Sequence, residues 1–337
     1  MQVDRKNRSD GGMLLLAEVA RLYYFKHFTQ QHIADRIGVS RTNVSRMLAE
    51  ARARGLVEIR IHTPLTVESD LQDDLASRLG LRECLVLAKS PLGENSTDLT
   101  DTISGLSALG AQYLQENVPD NSVMGVSWSS TVHHVVSSGY LQEKNDVTAV
   151  QLMGSIGGSI VELDGVSITA RTADVLGAKA YYLHAPMIVT SPLVRDGLMR
   201  DPHIRETLDV ARNADTTVVS VGVLDQSSGQ FRTGYLNKAD LECIRDQGAI
   251  GDICGAYFSQ NGEEVLLERN DRTIALEFES LRRIPNRIGV SGGPQKALPN
   301  IGAIRAGLLN VLITDESTAL EMINLLDSEN TPPETSI

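Results

Sequence analysis

The chain has 337 residues, 42% of them hydrophobic, enough for one small and one large domain, each with its own core. A net charge of −12 excludes a protein that coats nucleic acid with its whole surface, yet the charge is divided, +5 over residues 1–62 and −17 over the remainder. A basic head on an acidic body is the expected pattern of a DNA-binding module joined to a separate regulatory domain.

Residues 1–12 are polar and are expected to form a disordered lead. A helix is predicted from about Met13 to about His27, with Leu15, Leu16, Val19, Leu22 and Tyr23 as its apolar stripe. The stretch TQQHIADRIGVSRTNVSRMLAEARARG, residues 29–55, then shows the helical period twice: Ile33, Ala34 and Ile37, a break at Gly38, and Val44, Met47, Leu48 and Ala51. Thr29 and Ser40 stand where a hydroxyl N-cap is needed, and Gly38 where the first helix must stop in a left-handed turn. After Gly55, LVEIRIH alternates apolar Val57, Ile59 and Ile61 with polar residues, the period of a half-buried strand. Residues 13–62 therefore read as a winged helix-turn-helix.

The helix after Ser40 is expected to enter the major groove, with Arg41, Thr42, Asn43 and Arg46 at base edges, since Arg pairs with guanine and Asn with adenine. Ser45, and Thr29 and Gln30 at the start of the preceding helix, complete the expected DNA-facing set. Arg52, Arg54 and Arg60 suit phosphates, which fix register and supply salt-dependent affinity. One module offers little specificity, so a dimer on a pseudo-palindrome is expected, with homodimer and homotetramer both open.

Pro64 opens a connector, and residues 63–80 read as a linker helix in which Leu71, Leu75 and Leu79 recur every fourth position. That stripe suits packing on its own domain or a dimer contact between domains. Residues 81–328 alternate strand-like runs (ECLVLA, NSVMGVSW, VTAVQLM, AKAYYLHA, TTVVSVGVL, NRIGVSGG, NVLITD) with helical patterns near 98–117, 130–141, 167–178, 202–213, 295–308 and 315–326. The fold class is thus α/β: a mainly α winged helix-turn-helix joined to a Rossmann-like domain with a mostly parallel sheet covered on both faces. Residues 329–337 form an expected flexible tail. Cys84, Cys243 and Cys254 show no metal-ligand or disulfide spacing, and neither a signal-peptide core nor a run of ~18 apolar residues occurs. A cytoplasmic protein without metal, cofactor or membrane association is expected.

Ligands of open α/β sheets bind at the carboxyl ends of the strands. Three loops there combine small residues with donors. The first follows Gly125 and contains Ser127, Ser129, Ser130 and Thr131; the second is GSIGG, with Gly154 and Gly157; the third is SGGPQK, with Gly292, Gly293 and Lys296. Backbone amides at helix starts and a lysine suit a phosphate, and convergence of the three loops would outweigh the alternative that each is an ordinary turn. Asp252 in GAIGDICGAYF reads equally as a helix or turn cap and as an acceptor for sugar hydroxyls. His133 and His134 diverge by about 100° on a helix and read as packing or solvent-facing; Trp128 reads as a core anchor before a sugar platform.

The segments LAEVARLYYFKHFTQQHIADRIGVSRTNVSRMLAEARARGLVEIRI, GVSWSST, VQLMGSIGG, GAIGDICGAYF and VSGGPQKALPNIGAIRAGLLNVLITDESTA together resemble the SorC-type transcriptional regulators, grouped near the deoxyribonucleoside regulators, over nearly the whole chain. The resemblance implies an effector domain related to sugar-phosphate isomerases and CoA transferases that binds a phosphorylated sugar or polyol within dimers or tetramers. It implies that Gly125, Ser127, Ser129 and Thr131 face the phosphate end and that Asp252 and Lys296 contact the effector. The sequence departs from the family pattern in SWSST, where many relatives have a glycine before the threonine. It departs again at Met153, where some members place a Schiff-base lysine, so noncovalent binding is expected. The rival reading is a sugar-phosphate isomerase with an attached DNA-binding domain; Asp252 and Lys296 would be its acid and base, with no further ordered carboxylate or histidine set to complete the site.

Overall fold

The computed structural model describes residues 4–57, 65–89, 99–157 and 163–330, and its contacts divide the chain into two compact units, Met1–Thr63 and Pro64–Ile337. In the first unit, α1 (Asp4–Tyr24), α2 (Gln30–Ile37) and α3 (Arg41–Ala53) enclose a small core of Leu16, Val19, Leu22, Ile33, Val44, Leu48 and Ala51. Residues 4–12, expected as a disordered lead, are the first turns of α1. No proline interrupts them and glycine costs a helix only about 1 kcal/mol, so the helix continues past the end of its apolar stripe. It also stops earlier than predicted, at Tyr24, because His27 takes the left-handed conformation (φ 54°). The predicted wing strand falls largely on residues 58–62 and lies outside the described residues, as does Arg60.

The second unit begins with α4 (Ser69–Leu79). Its Leu75 is fully buried, with Leu71 and Leu79 packed beside it, so the linker helix belongs to the large unit's own core. The chain then runs through β1 (Glu83–Leu87), α5 (Leu99–Asn117), β2 (Val123–Val126), α6 (Ser130–Ser137), β3 (Thr148–Gln151), α7 (Gly165–Leu176) and β4 (Lys179–Tyr181). It continues through α8 (Pro192–Met199), α9 (Pro202–Arg212), β5 (Thr216–Val219), β6 (Gly222–Val223), α10 (Gly229–Arg232), α11 (Lys238–Asp246), β7 (Gly251–Ile253) and β8 (Ala256–Phe258). It closes with α12 (Phe278–Arg283), β9 (Asn286–Val290), α13 (Ala297–Arg305), β10 (Val311–Asp315) and α14 (Glu316–Asn330).

Seven strands form a wholly parallel sheet in the order β1-β10-β9-β5-β2-β3-β4. Alternate residues feed two cores: Cys84 and Val86 point to the face of α4, α13 and α14, while Leu85, Leu87, Ile288 and Val290 point to the face of α5, α6 and α7. Burial on both faces is why these strands read as nearly continuous apolar runs. The run TTVVSVGVL, predicted as one strand, divides into β5 in this sheet and β6 in a second, antiparallel sheet β6-β7-β8. Order matters for function: β3 and β4 are added on one side of β2 and β5 and β9 on the other, so the winding direction reverses between β2 and β5, and at such a switch point the loops on the two sides diverge and leave a crevice.

Candidate functional site

In the small unit, the Thr29 hydroxyl accepts from His32 N at 3.2 Å and the Ser40 hydroxyl from Asn43 N at 3.2 Å, so both predicted caps hold their helices. Gly38 ends α2 with φ 72°, a value that penalises any side chain. α3 buries Val44, Leu48 and Ala51 and leaves Arg41, Thr42, Ser45, Arg46 and Arg52 exposed, with Asn43 half-buried between them. One helix face is thus fixed by the core and the opposite face is donor-rich. On that face the Arg46 guanidinium donates to the Asn43 side-chain oxygen, leaving the Asn43 amide as a donor. Gln30 opens α2 and is half-buried. Arg54 follows α3 and pairs with Glu50 at 2.5 Å, which reduces the charge it offers to a phosphate.

In the large unit a cleft of about 390 Å³ opens at the carboxyl ends of β2, β5, β9 and β10, over the switch point. Ser127, Ser129, Ser130 and Thr131 line it, as do Asp252, Gly292, Gly293 and Lys296. Gly125, Gly154 and Gly157 are absent from the lining. Gly125 sits within β2 against Leu152, and Gly154 passes the backbone of Ala185 and Pro186 so closely that a Cβ would lie 2.6 Å from it; both are needed for packing. The second predicted loop meets the cleft through Ile156 instead, with Met153 just before the loop, both apolar side chains without phosphate chemistry.

Local chemistry departs from the simplest phosphate cradle. The Ser129 hydroxyl already accepts from the amides of Thr131 at 3.0 Å and Val132 at 3.4 Å, capping α6 itself. Gly293 N is already engaged by Asp315 Oδ2 and the Thr318 hydroxyl, 2.7 Å from each. Burial opposes the charge on Asp315, but hydrogen bonds from Ser317, Thr318 and Gly293 outweigh it and hold that carboxyl below its usual range. The donors left facing the cleft include the Ser127 hydroxyl, which has no partner, and the two cations of the lining, Arg232 and Lys296.

Lys296 Nζ donates to Ser220 Oγ at 3.1 Å; burial pushes its ammonium down to about 8, against the attraction of Asp252 and Asp315. Asp252 is only 8% exposed and burial pushes it up to about 6, opposed by the Gly255 amide, Gln230, Arg269 and Lys296. It lies in β7, so it caps no helix. Its Oδ2 does accept from Gly255 N at 3.1 Å, across a two-residue turn in which Cys254 (φ 54°) and Gly255 (φ 77°) are both left-handed. That hairpin escaped the sequence reading because cysteine occupies the place usually held by Asn or Asp.

Sequence reasoning also passed over α10, which contributes Gln230 and Arg232; at four residues it is too short for periodicity to register. Trp128, expected as a core anchor, is half-buried: it packs against the core clusters on both faces of the large sheet and also lines the cleft.

A helix-turn-helix unit in the same chain as an α/β domain with a ligand-sized cleft at its switch point defines the class, a ligand-responsive transcriptional regulator. The chain matches a sugar-binding domain family over residues 63–324 and a Crp-like helix-turn-helix domain over residues 13–69. It belongs to the SorC-type family of sugar-binding transcriptional regulators. It is similar to the deoxyribonucleoside regulator of Bacillus subtilis, 32% identical over 92% of this chain and 97% of that protein. The erythritol catabolism regulatory protein EryD of Brucella abortus is 26% identical over 94% of this chain and 98% of its own. The crystal structure of the full-length sorbitol operon regulator SorC from Klebsiella pneumoniae superposes with a TM-score of 0.68 at 25% identity, covering 93% of this chain and 98% of that one. Among the described residues no helix is long and apolar enough to cross a membrane.

Proposed function

We propose that the cleft binds a phosphorylated sugar or polyol noncovalently and that its occupancy changes the affinity of the helix-turn-helix for operator DNA. The observation that carries the reading is the cleft itself, whose lining combines two cations, Arg232 and Lys296, the hydroxyls of Ser127, Ser130 and Thr131, and the acceptor Asp252, with Lys296 close enough to Asp252 to favour its charge. Such a site offers charge and donors to a phosphate and an acceptor to a hydroxyl. Relatives named for deoxyribonucleosides, sorbitol and erythritol support a small polyhydroxylated effector. They are named as regulators, which supports sensing without turnover; we propose further that the protein works in the cytoplasm as a homodimer or homotetramer. An effector shifts operator affinity only by the difference in its affinity for the DNA-competent and incompetent states.

The test is a thermal-shift screen of the full-length protein against 2-deoxyribose 5-phosphate, sorbitol 6-phosphate, erythritol 4-phosphate and their unphosphorylated parents. Binding to the folded state raises the melting temperature by mass action. A response to a phosphorylated compound alone is expected; a response to a parent alone would remove the phosphate from the reading.

A further inference from the structure

Behind the cleft wall Asp252 belongs to a buried hydrogen-bonded chain. Tyr257, 1% exposed and outside the cleft lining, donates its hydroxyl to Gln230 Oε1 at 3.0 Å. Gln230 is itself 4% exposed, and its backbone carbonyl is fixed by the amides of Tyr235 at 2.9 Å and Leu236 at 3.1 Å. With Oε1 engaged by the phenol of Tyr257, the cross-strand partner of Asp252, the Gln230 side chain has only N–H to turn toward Asp252, whose charge it favours. Gly222 makes room for the second carboxylate oxygen: a Cβ there would lie 2.1 Å from Asp252 Oδ1.

An amide that presents only N–H is matched to an ionised carboxylate and mismatched to a protonated one. The charged groups around Asp252 agree, since Lys296 from the turn after β9 and Arg269 from the turn at Glu268–Arg272 both favour its charge. The buried Cys254 thiol and Tyr257 phenol are pushed up by burial and by Asp252, so both remain neutral.

We infer that Gln230, oriented by the buried Tyr257 hydroxyl, is the positioning residue that fixes Asp252 as an acceptor, so that this end of the cleft selects a neutral hydroxyl and rejects a carboxylate or second phosphate. The effector class narrows to polyol or sugar monophosphates, with aldonic and uronic acid phosphates and bisphosphates excluded. This selection rests on the effector reading proposed above; the relay itself is independent of it.

Trp128 is the chain's single tryptophan, and a Cβ on Gly229, next to Gln230, would lie 2.7 and 2.8 Å from its ring. Its emission therefore reports on the relay without any ligand. The experiment titrates the emission of full-length wild type, Tyr257→Phe and Asp252→Asn between pH 4.5 and 9, with circular dichroism as a check of folding. A transition near pH 6 is expected in wild type, absent from Asp252→Asn, and moved upward by about half a unit to one unit in Tyr257→Phe, because losing the phenol frees the amide to turn. An identical midpoint in Tyr257→Phe, or no transition that depends on Asp252, overturns the relay.

A second arm compares ribitol 5-phosphate with ribonate 5-phosphate by thermal shift. Stabilisation by the polyol phosphate alone supports the selection, and equal stabilisation by both overturns it. Stabilisation by neither overturns the effector reading and, with it, the selection, while the emission titration still decides the relay.

Discussion

Asp252 and Lys296 are each held against their own charge, and each cost has a sign that pH can reveal. Burial lifts Asp252 from 3.8 to about 6, so the folded state binds its proton more tightly than the unfolded chain does. The stability this contributes is fully present below pH ~4 and is lost as pH rises through 6, a difference of order 3 kcal/mol. Asp252→Asn should therefore raise the melting temperature at pH 8 by several degrees and leave it unchanged at pH 4; a loss of stability at pH 8 would show that the charge is better compensated than the geometry indicates. Lys296 runs the other way: an anion beside it restores the ammonium, so effector affinity should weaken as pH passes about 8. Lys296→Met should abolish the effector response in an operator-binding titration and leave operator affinity in its absence unaltered. Lys296 was legible in the sequence because GGPQK follows the strand run NRIGV, whereas Asp252 entered through the motif GAIGDICGAYF and the family resemblance, its strand β7 being unread. Gln230 and Arg232 were not legible, since nothing in SSGQFRTG marks a buried amide or a cleft cation until β7 and β8 are in place.

Elements with strong local signals were the readable ones. Seven strand runs and the three helices of the small unit follow from apolar period, two hydroxyl caps and a left-handed glycine. Many of the misses come from brevity: β6, β7, β8 and α10 contain two to four residues each and are fixed by tertiary contacts rather than by propensity, whereas α8 and α11, eight and nine residues long and capped by Ser191 and Asn237, carried local signals that were passed over. Two substitutions test how tightly elements set function. Gly38→Ala forces a side chain into φ 72° and should cost the small unit about 1 kcal/mol, lowering its melting transition while operator affinity measured at low temperature persists. Gly229→Ala would drive a Cβ into Trp128, so the ring must move; a red-shifted emission maximum with a weakened effector response is expected, and an unchanged spectrum would mean that α10 yields instead.

At the scale of the whole molecule the charge division carries the argument. A +5 segment must hold DNA while the rest of the chain carries −17, so affinity depends on a few arginines whose effect is not diluted by a basic surface elsewhere. Each phosphate neutralised releases counterions and steepens the dependence of log affinity on log salt by about 0.9. Arg52 is exposed in the last turn of α3 with no ion pair among the described residues, whereas Arg54 is held by Glu50. Arg52→Ala should therefore flatten the salt slope by about 0.9 for each recognition helix bound, with the ratio of operator to random-DNA affinity unchanged, and Arg54→Ala should flatten it less. Asn43→Ala should do the reverse, costing about 1–3 kcal/mol on the operator alone at an unaltered slope. Fluorescence anisotropy over a salt series, with operator and scrambled duplexes, separates the two behaviours. If Asn43→Ala lowered affinity equally on both duplexes, α3 would be holding the backbone rather than reading bases, and specificity would have to come from outside residues 41–46.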